Sequence, residues 1–122
     1  MEWQLRSDAP IYSQLVSLVT LGIVSGKFAP GERLPSVRDM AVEAGVNPNT
    51  MQRALTELER GGLVYSQRTA GRFVTEDKTV IDNAKHKLAD ENVRDFLDAM
   101  SRLGYLRHEI ITLLVRRIEE EN

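Results

Sequence analysis

Cysteine is absent from the 122 residues, and histidine occurs only twice, at His86 and His108. The first absence excludes disulfides and thiolate metal sites. Neither histidine has another one a helical turn away, the spacing a helical metal pair needs, so no metal site is expected. There is also no glycine-rich phosphate loop, and no histidine is set beside a nucleophile. No enzyme activity and no cofactor are therefore expected. No stretch approaches the roughly 20 consecutive apolar residues that span a bilayer, and the opening MEWQLRSDAP lacks the apolar run of a signal peptide. A cytoplasmic location without membrane insertion is the expectation.

What is present is an ordinary globular balance, 42% hydrophobic and 28% charged. The net charge of −2 is unevenly divided. Residues 1–75 hold eight lysines and arginines against seven carboxylates, whereas residues 76–122 hold eight against eleven. Attraction to a polyanion must therefore come from a local patch in the first part, with the acidic remainder facing away.

Residues 1–75 read as one domain. Pro10 suits the first turn of a helix running to about Ser25, along which Tyr12, Leu15, Val19 and Ile23 recur at helical spacing. Gly26 and the turn FAPG follow. Ser36 is placed to cap a second helix, with Asp39 in its first turn and Val37, Met40, Ala41 and Ala44 on its inner side. Gly45 stops it. Asn47 is placed to cap a third helix that opens on Pro48 and buries Met51, Ala54, Leu55 and Leu58 before ending at Gly61-Gly62. The period then changes to that of short strands, LVYS and RFV, around QRTAG, which reads as a hairpin.

Two short helices joined through Ala44-Gly45-Val46 and followed by a hairpin have the anatomy of a winged helix-turn-helix. A helix of this kind fits the major groove of DNA, where the residues at its N-terminal end reach base edges. Opposite the buried stripe, the third helix displays Asn49, Gln52, Arg53 and Thr56. Asn and Gln pair with adenine and Arg with guanine through two hydrogen bonds each. Asn47 and Thr50 sit where free N–H groups and the helix dipole favour phosphate. Arg33 and Arg38 are further phosphate or base contacts. Arg68 and Arg72 belong to the wing, where Gly71 lets the backbone approach the minor groove. Arg53 also has a purely structural alternative, an ion pair with Glu57 four residues on, and Thr56 lies far enough from the helix start to be a bystander.

Residues 76–122 form a second part. A long helix is predicted from Thr79 or Asp82 to Met100, with Ala84, Leu88, Val93, Phe96, Leu97 and Met100 facing inward. After Leu103-Gly104 a last helix carries Leu106, Ile110, Ile111, Leu114, Val115 and Ile118. Two helices this apolar cannot bury their stripes against each other and a small domain alone. The expectation is a dimerisation hairpin with Leu88, Phe96, Leu97, Ile110, Leu114 and Ile118 at the interface. A symmetric dimer sets two recognition helices one DNA turn apart, roughly 34–36 Å, or a multiple of it. A tail of this length leaves little room for a ligand pocket, so any small-molecule effector, itself unknown, belongs at the dimer interface or between the domains.

The run PGERLPSVRDMAVEAGVNPNTMQRALTELERGGLVYSQRTAGRFV resembles the N-terminal domain of GntR-family transcription regulators, with LPSVRDMA, GVNPNT, ALTELERGGLV and GRFV at the family spacing; the likeness extends over residues 10–75. It implies a dimeric bacterial regulator of an operator with inverted-repeat character. By the same likeness Arg38 is the family's DNA-contacting arginine, Thr50 its helix-start threonine and Gly71 the second wing glycine. Pro48 and Gln52 stand where many members have arginine, and Thr69 where the first wing glycine is common. Asn-Pro-Asn-Thr and the short two-helix tail, with LGYLRHEIITLL, are similar to the YtrA subfamily, whose members are often repressors and often regulate operons for membrane transporters. The alternative is a winged helix that serves as a protein-interaction module without operator-specific DNA binding.

Overall fold

The computed structural model describes residues 1–121. In chain order it contains α1 (Ile11–Val24), α2 (Val37–Ala44), α3 (Pro48–Arg60), β1 (Val64–Gln67), β2 (Gly71–Val74), α4 (Lys78–Arg102) and α5 (Arg107–Glu121). The fold is mainly α-helical with a small two-stranded wing and two C-terminal helices, as the residue pattern leads one to expect. The chain divides into two compact units, Met1–Leu88 and the residues from Ala89 onward. That division falls inside α4 because Val80, Ile81 and Ala84 still pack against the core of the first unit. Asp77 accepts a hydrogen bond from the Thr79 N–H at 3.0 Å, which fixes the helix start one residue ahead of the earlier of its two predicted starts.

The first unit is organised by α1 and α3. Leu15, Val19 and Ile23 of α1 are buried together with Met51, Ala54, Leu55 and Leu58 of α3 and with Met40 and Ala41 of α2. Phe28 closes one end of this core at Gly22, where a Cβ would lie only 2.9 Å from the ring. Both predicted caps are present. The Ser36 side chain accepts from the Asp39 N–H at 3.1 Å, and the Asn47 side chain from the Asn49 N–H at 2.8 Å. Gly45 adopts φ 71°, the left-handed geometry that ends α2 and turns the chain into α3.

The segment before α1 also joins this unit, a contribution its composition did not announce. Met1, Trp3 and Leu5 pack against the core. The Gln14 amide holds the segment down, accepting from the Arg6 N–H at 2.7 Å and donating to the Arg6 and Ala9 carbonyls at 2.7 and 2.9 Å.

In the wing, β1 and β2 pair antiparallel with Tyr65 opposite Phe73 and Ser66 opposite Arg72. The Tyr65 and Phe73 rings stack with centroids 5.8 Å apart. Residues 31–34 line the outer edge of β2, with N–H to carbonyl bonds of 2.9 Å from Gly31 to Val74, Val74 to Glu32 and Leu34 to Arg72. That edge is thereby covered, and the residues just before α2 are fixed beside the wing.

In the second unit the C-terminal helices differ from expectation in detail. On α4 no residue is buried: Leu88, Leu97 and Met100 are half-buried, whereas Val93 and Phe96 are exposed. Leu106 lies ahead of α5 instead of on its apolar stripe, its N–H donating to the Glu109 carboxylate at 2.8 Å, which makes it part of the helix start. Ile110 is the buried residue of α5, at 3% exposure.

The wing turn contains one residue out of its usual place. Ala70 N–H bonds to the Gln67 carbonyl at 3.0 Å, and Thr69, third in that turn, has φ 66°. Glycine or asparagine is usual at positive φ, and a β-branched side chain there costs roughly 1–2 kcal/mol. Thr69→Gly is expected to raise the thermal midpoint by a few degrees, corresponding to about 1 kcal/mol after the extra unfolded-state freedom of glycine is subtracted. Circular-dichroism melting measures this, and an unchanged or lower midpoint would show that the turn holds no relievable strain.

Candidate nucleic-acid interface

Because Met51, Leu55 and Leu58 face the core, the opposite side of α3 is committed to solvent: Asn49, Gln52, Arg53 and Thr56 are all exposed. Asn47 is exposed at the cap, and Thr50 is half-buried one turn in. The helix start thus carries two amides and a threonine at the positive end of the helix dipole, with its own N–H groups already engaged: that of Asn49 by the Asn47 side chain, those of Thr50 and Met51 by the Asn47 carbonyl.

Four of these side chains already have partners, Asn47 as the cap described above. The Gln52 amide donates to the Thr56 hydroxyl at 3.3 Å, and that hydroxyl donates to the Gln52 carbonyl at 2.9 Å. The Arg53 guanidinium lies over the Tyr12 ring, 4.1 Å from its centroid. It is therefore not paired with Glu57, whose carboxylate is taken by Arg60. Tyr12, read from the sequence as one more apolar stripe residue, doubles as a platform for Arg53.

Arg38 is exposed on α2 beside the residues of its first turn. Among the described residues Arg33, Arg38 and Arg68 make no ion pair, so their charge is available to a ligand. Arg33, Gly71 and Arg72 are brought together. With Ser36 of the α2 cap and Ser66 of β1 they line a cleft of about 400 Å³ between the start of α2 and the wing. Gly71 has φ 108°, and a Cβ there would stand 2.9 Å from Arg33 Nε. Glycine is thus required by the backbone geometry, whereas the exposed Arg33 side chain would only have to shift aside for a Cβ.

Arg72 behaves differently from the exposed wing cation the sequence leads one to expect. Its side chain is only 18% exposed, and its Nε donates to Glu59 Oε1 of α3 at 2.6 Å. The same carboxylate oxygen accepts from the Ser66 hydroxyl. The Ser66 bond foremost, then Arg72, holds the Glu59 carboxyl below the ordinary carboxylate range, against an opposing push from burial. Nothing local to these residues signals this triad, because only the strand register places Ser66 and Arg72 on one rung. Of the two histidines, His86 lies on α4 and His108 on α5, both exposed.

This arrangement offers exposed amides and an arginine at one helix end, with cations on α2 and the wing around it. Its counterparts among known proteins agree. The family described as bacterial regulatory proteins, gntR family, matches residues 11–74. The uncharacterized HTH-type transcriptional regulator YhcF of Bacillus subtilis is 39% identical over 111 residues, 91% of this chain and 92% of the relative. The HTH-type transcriptional repressor YtrA of the same organism is 34% identical over 93 residues, 75% of this chain and 72% of that one. A GntR family transcriptional regulator from Listeria monocytogenes superposes with a TM-score of 0.82 at 36% identity, covering 92% of this chain and 98% of the other. No helix among the described residues is long and apolar enough to cross a membrane. Its folded reading helix, wing and sequence kinship make this chain a member of the GntR family, whose regulators are DNA-binding proteins and not enzymes.

Proposed function

We propose that the chain is a dimeric repressor that reads an inverted-repeat operator, with α3 in the major groove and the wing alongside. The observation that carries this is the solvent face of α3, where Asn49, Gln52 and Arg53 stand clear of the core at the helix start. In this reading Asn49, Gln52 and Arg53 contact base edges. Asn47, Thr50, Arg33, Arg38 and Arg68 contact phosphate, Gly71 brings the wing backbone close, and Arg72 adds what its guanidinium has left beyond Glu59. Residues 1–75 act as the DNA-binding domain and 76–122 as the part that joins two copies. A YtrA-like assignment is supported by Asn47-Pro48-Asn49-Thr50 and by the similarity to the YtrA repressor. A transporter operon as target, and repression as the sign of regulation, rest on that assignment alone.

Dimerisation is supported by apolar surface in the second unit. Phe96, Ile111, Leu114, Val115 and Ile118 are all exposed in the single chain, Ile111 at 63%. Large apolar side chains exposed in this number on two helices favour burial against another surface. The proposed interface keeps Leu88, Phe96, Leu97, Leu114 and Ile118. Ile110 leaves it, since it is already buried within its own chain.

Two measurements test the reading. Duplexes selected from a random library by the full chain define an operator for mobility-shift titration. There Arg38→Ala is expected to weaken every sequence alike and flatten the salt dependence by about one counterion. Gln52→Ala should instead relax a single operator position by roughly 1–3 kcal/mol. Full binding by both variants would favour the protein-interaction alternative. In sedimentation equilibrium at micromolar concentration the chain should run as a dimer, and Leu114→Asp as a monomer; a monomeric parent chain would end the dimer proposal.

A further inference from the structure

The wing is attached in two different ways along its length. Its base is fixed by the core: Val64 and Val74 are fully buried opposite each other, and Thr75 N–H bonds to the Leu63 carbonyl at 2.9 Å. Toward the tip, β2 is bonded at its outer edge by Leu34 N–H to the Arg72 carbonyl at 2.9 Å, but Tyr65, Ser66, Gln67, Arg68 and Thr69 are all exposed, so no buried apolar side chain holds β1 and the turn here. A two-stranded hairpin is marginal by itself. What reaches it from α3 is the Glu59 carboxylate. One oxygen of this group accepts from Ser66 on β1 and from Arg72 on β2. These two residues face each other on the rung next to the turn-closing pair Gln67 and Gly71. A single carboxylate in the last turns of the reading helix therefore fastens both strands of the wing. On the other side of the hairpin, Arg33 lies against Gly71 without an acceptor of this kind.

We infer that Glu59 is a positioning residue for DNA recognition: by clamping both wing strands to α3 it holds the tip, with Arg68, at a set place relative to the bases that α3 reads. The inference rests on the proposed reading in which the wing meets DNA, and it deepens that reading. Glu59 itself touches no DNA, since its carboxylate is committed to Ser66 and Arg72 and carries the wrong charge for phosphate. Its positioning effect is read through Arg68, whereas release of Arg72 shifts the baseline affinity shared by every variant in that background. Arg38, positioned by α2 and its own cap, lies outside the clamp.

A double-mutant cycle on the duplex selected by the full chain tests this. Arg68→Ala is expected to weaken binding by roughly tenfold in the parent chain, the scale of one charge-assisted contact. In a Glu59→Ala background the same change should cost less than about twofold, because β1 and the turn are then no longer tied to α3. Glu59→Gln, which retains an acceptor for both donors, should restore most of the Arg68 effect. Ser66→Ala, which leaves α3 untouched, should reduce it partway and keeps the test open even where Glu59→Ala melts early. Arg38→Ala should cost the same in every background. An undiminished Arg68 effect in Glu59→Ala would overturn the inference while leaving the DNA reading intact. A shrinking Arg38 effect would also overturn it, by showing a general loss of fold instead of a displaced wing. An Arg68→Ala variant that binds as tightly as the parent would remove the wing contact itself, and the inference with it.

Discussion

What the first unit presents to solvent depends on the packing of α1 against α3. Leu15, Val19 and Ile23 on one side and Met51, Ala54, Leu55 and Leu58 on the other leave α3 no rotational freedom about its axis. A turn of about 100° separates successive helical residues, so fixing the buried stripe also fixes which side chains face outward. Truncating one of these core leucines costs roughly 2–5 kcal/mol, a large share of the total stability of a small domain. The reading face is therefore specified by residues that never meet the ligand.

Electrostatics act on a finer scale. A chain with net charge −2 has no global field to draw it to DNA. The cations that matter are those not spent on intramolecular pairs, and the structure sorts them. Arg60 and Arg72 are committed to Glu57 and Glu59, and Arg53 rests on Tyr12, whereas Arg33, Arg38 and Arg68 are unpaired among the described residues. Arginines near one another in sequence thus have opposite uses, one a tie inside the fold and the other a charge held out from it.

The helices of the first unit could be read from the sequence because their information is local. Apolar spacing, Ser36 and Asn47 as caps, and Gly45 at positive φ each act within a few residues. The exposed face of α3 follows from the same periodicity. What could not be read depends on contacts distant in the chain. Glu59 meets Ser66 and Arg72 only once the strands are in register, Arg53 meets Tyr12 only once α1 and α3 have packed, and the opening residues join the core through Gln14. In the C-terminal helices periodicity identified the apolar residues but not their fates. Ile110 is enclosed within one chain while Val93 and Ile111 remain open to solvent, a distinction that a hydrophobic pattern alone does not encode.

The small contact between Gln52 and Thr56 bears on how the protein chooses among sequences. In the free chain the Gln52 amide already has a hydroxyl to bond, so on the proposed reading an adenine edge gains it only by exchange. The favourable part of that encounter is the difference between two hydrogen bonds, smaller than either one alone. An incorrect base, which offers no better partner, leaves the amide with Thr56 and not stranded. On the proposed reading, mismatches at this position are thereby cushioned relative to those met by a rigid, unpartnered glutamine.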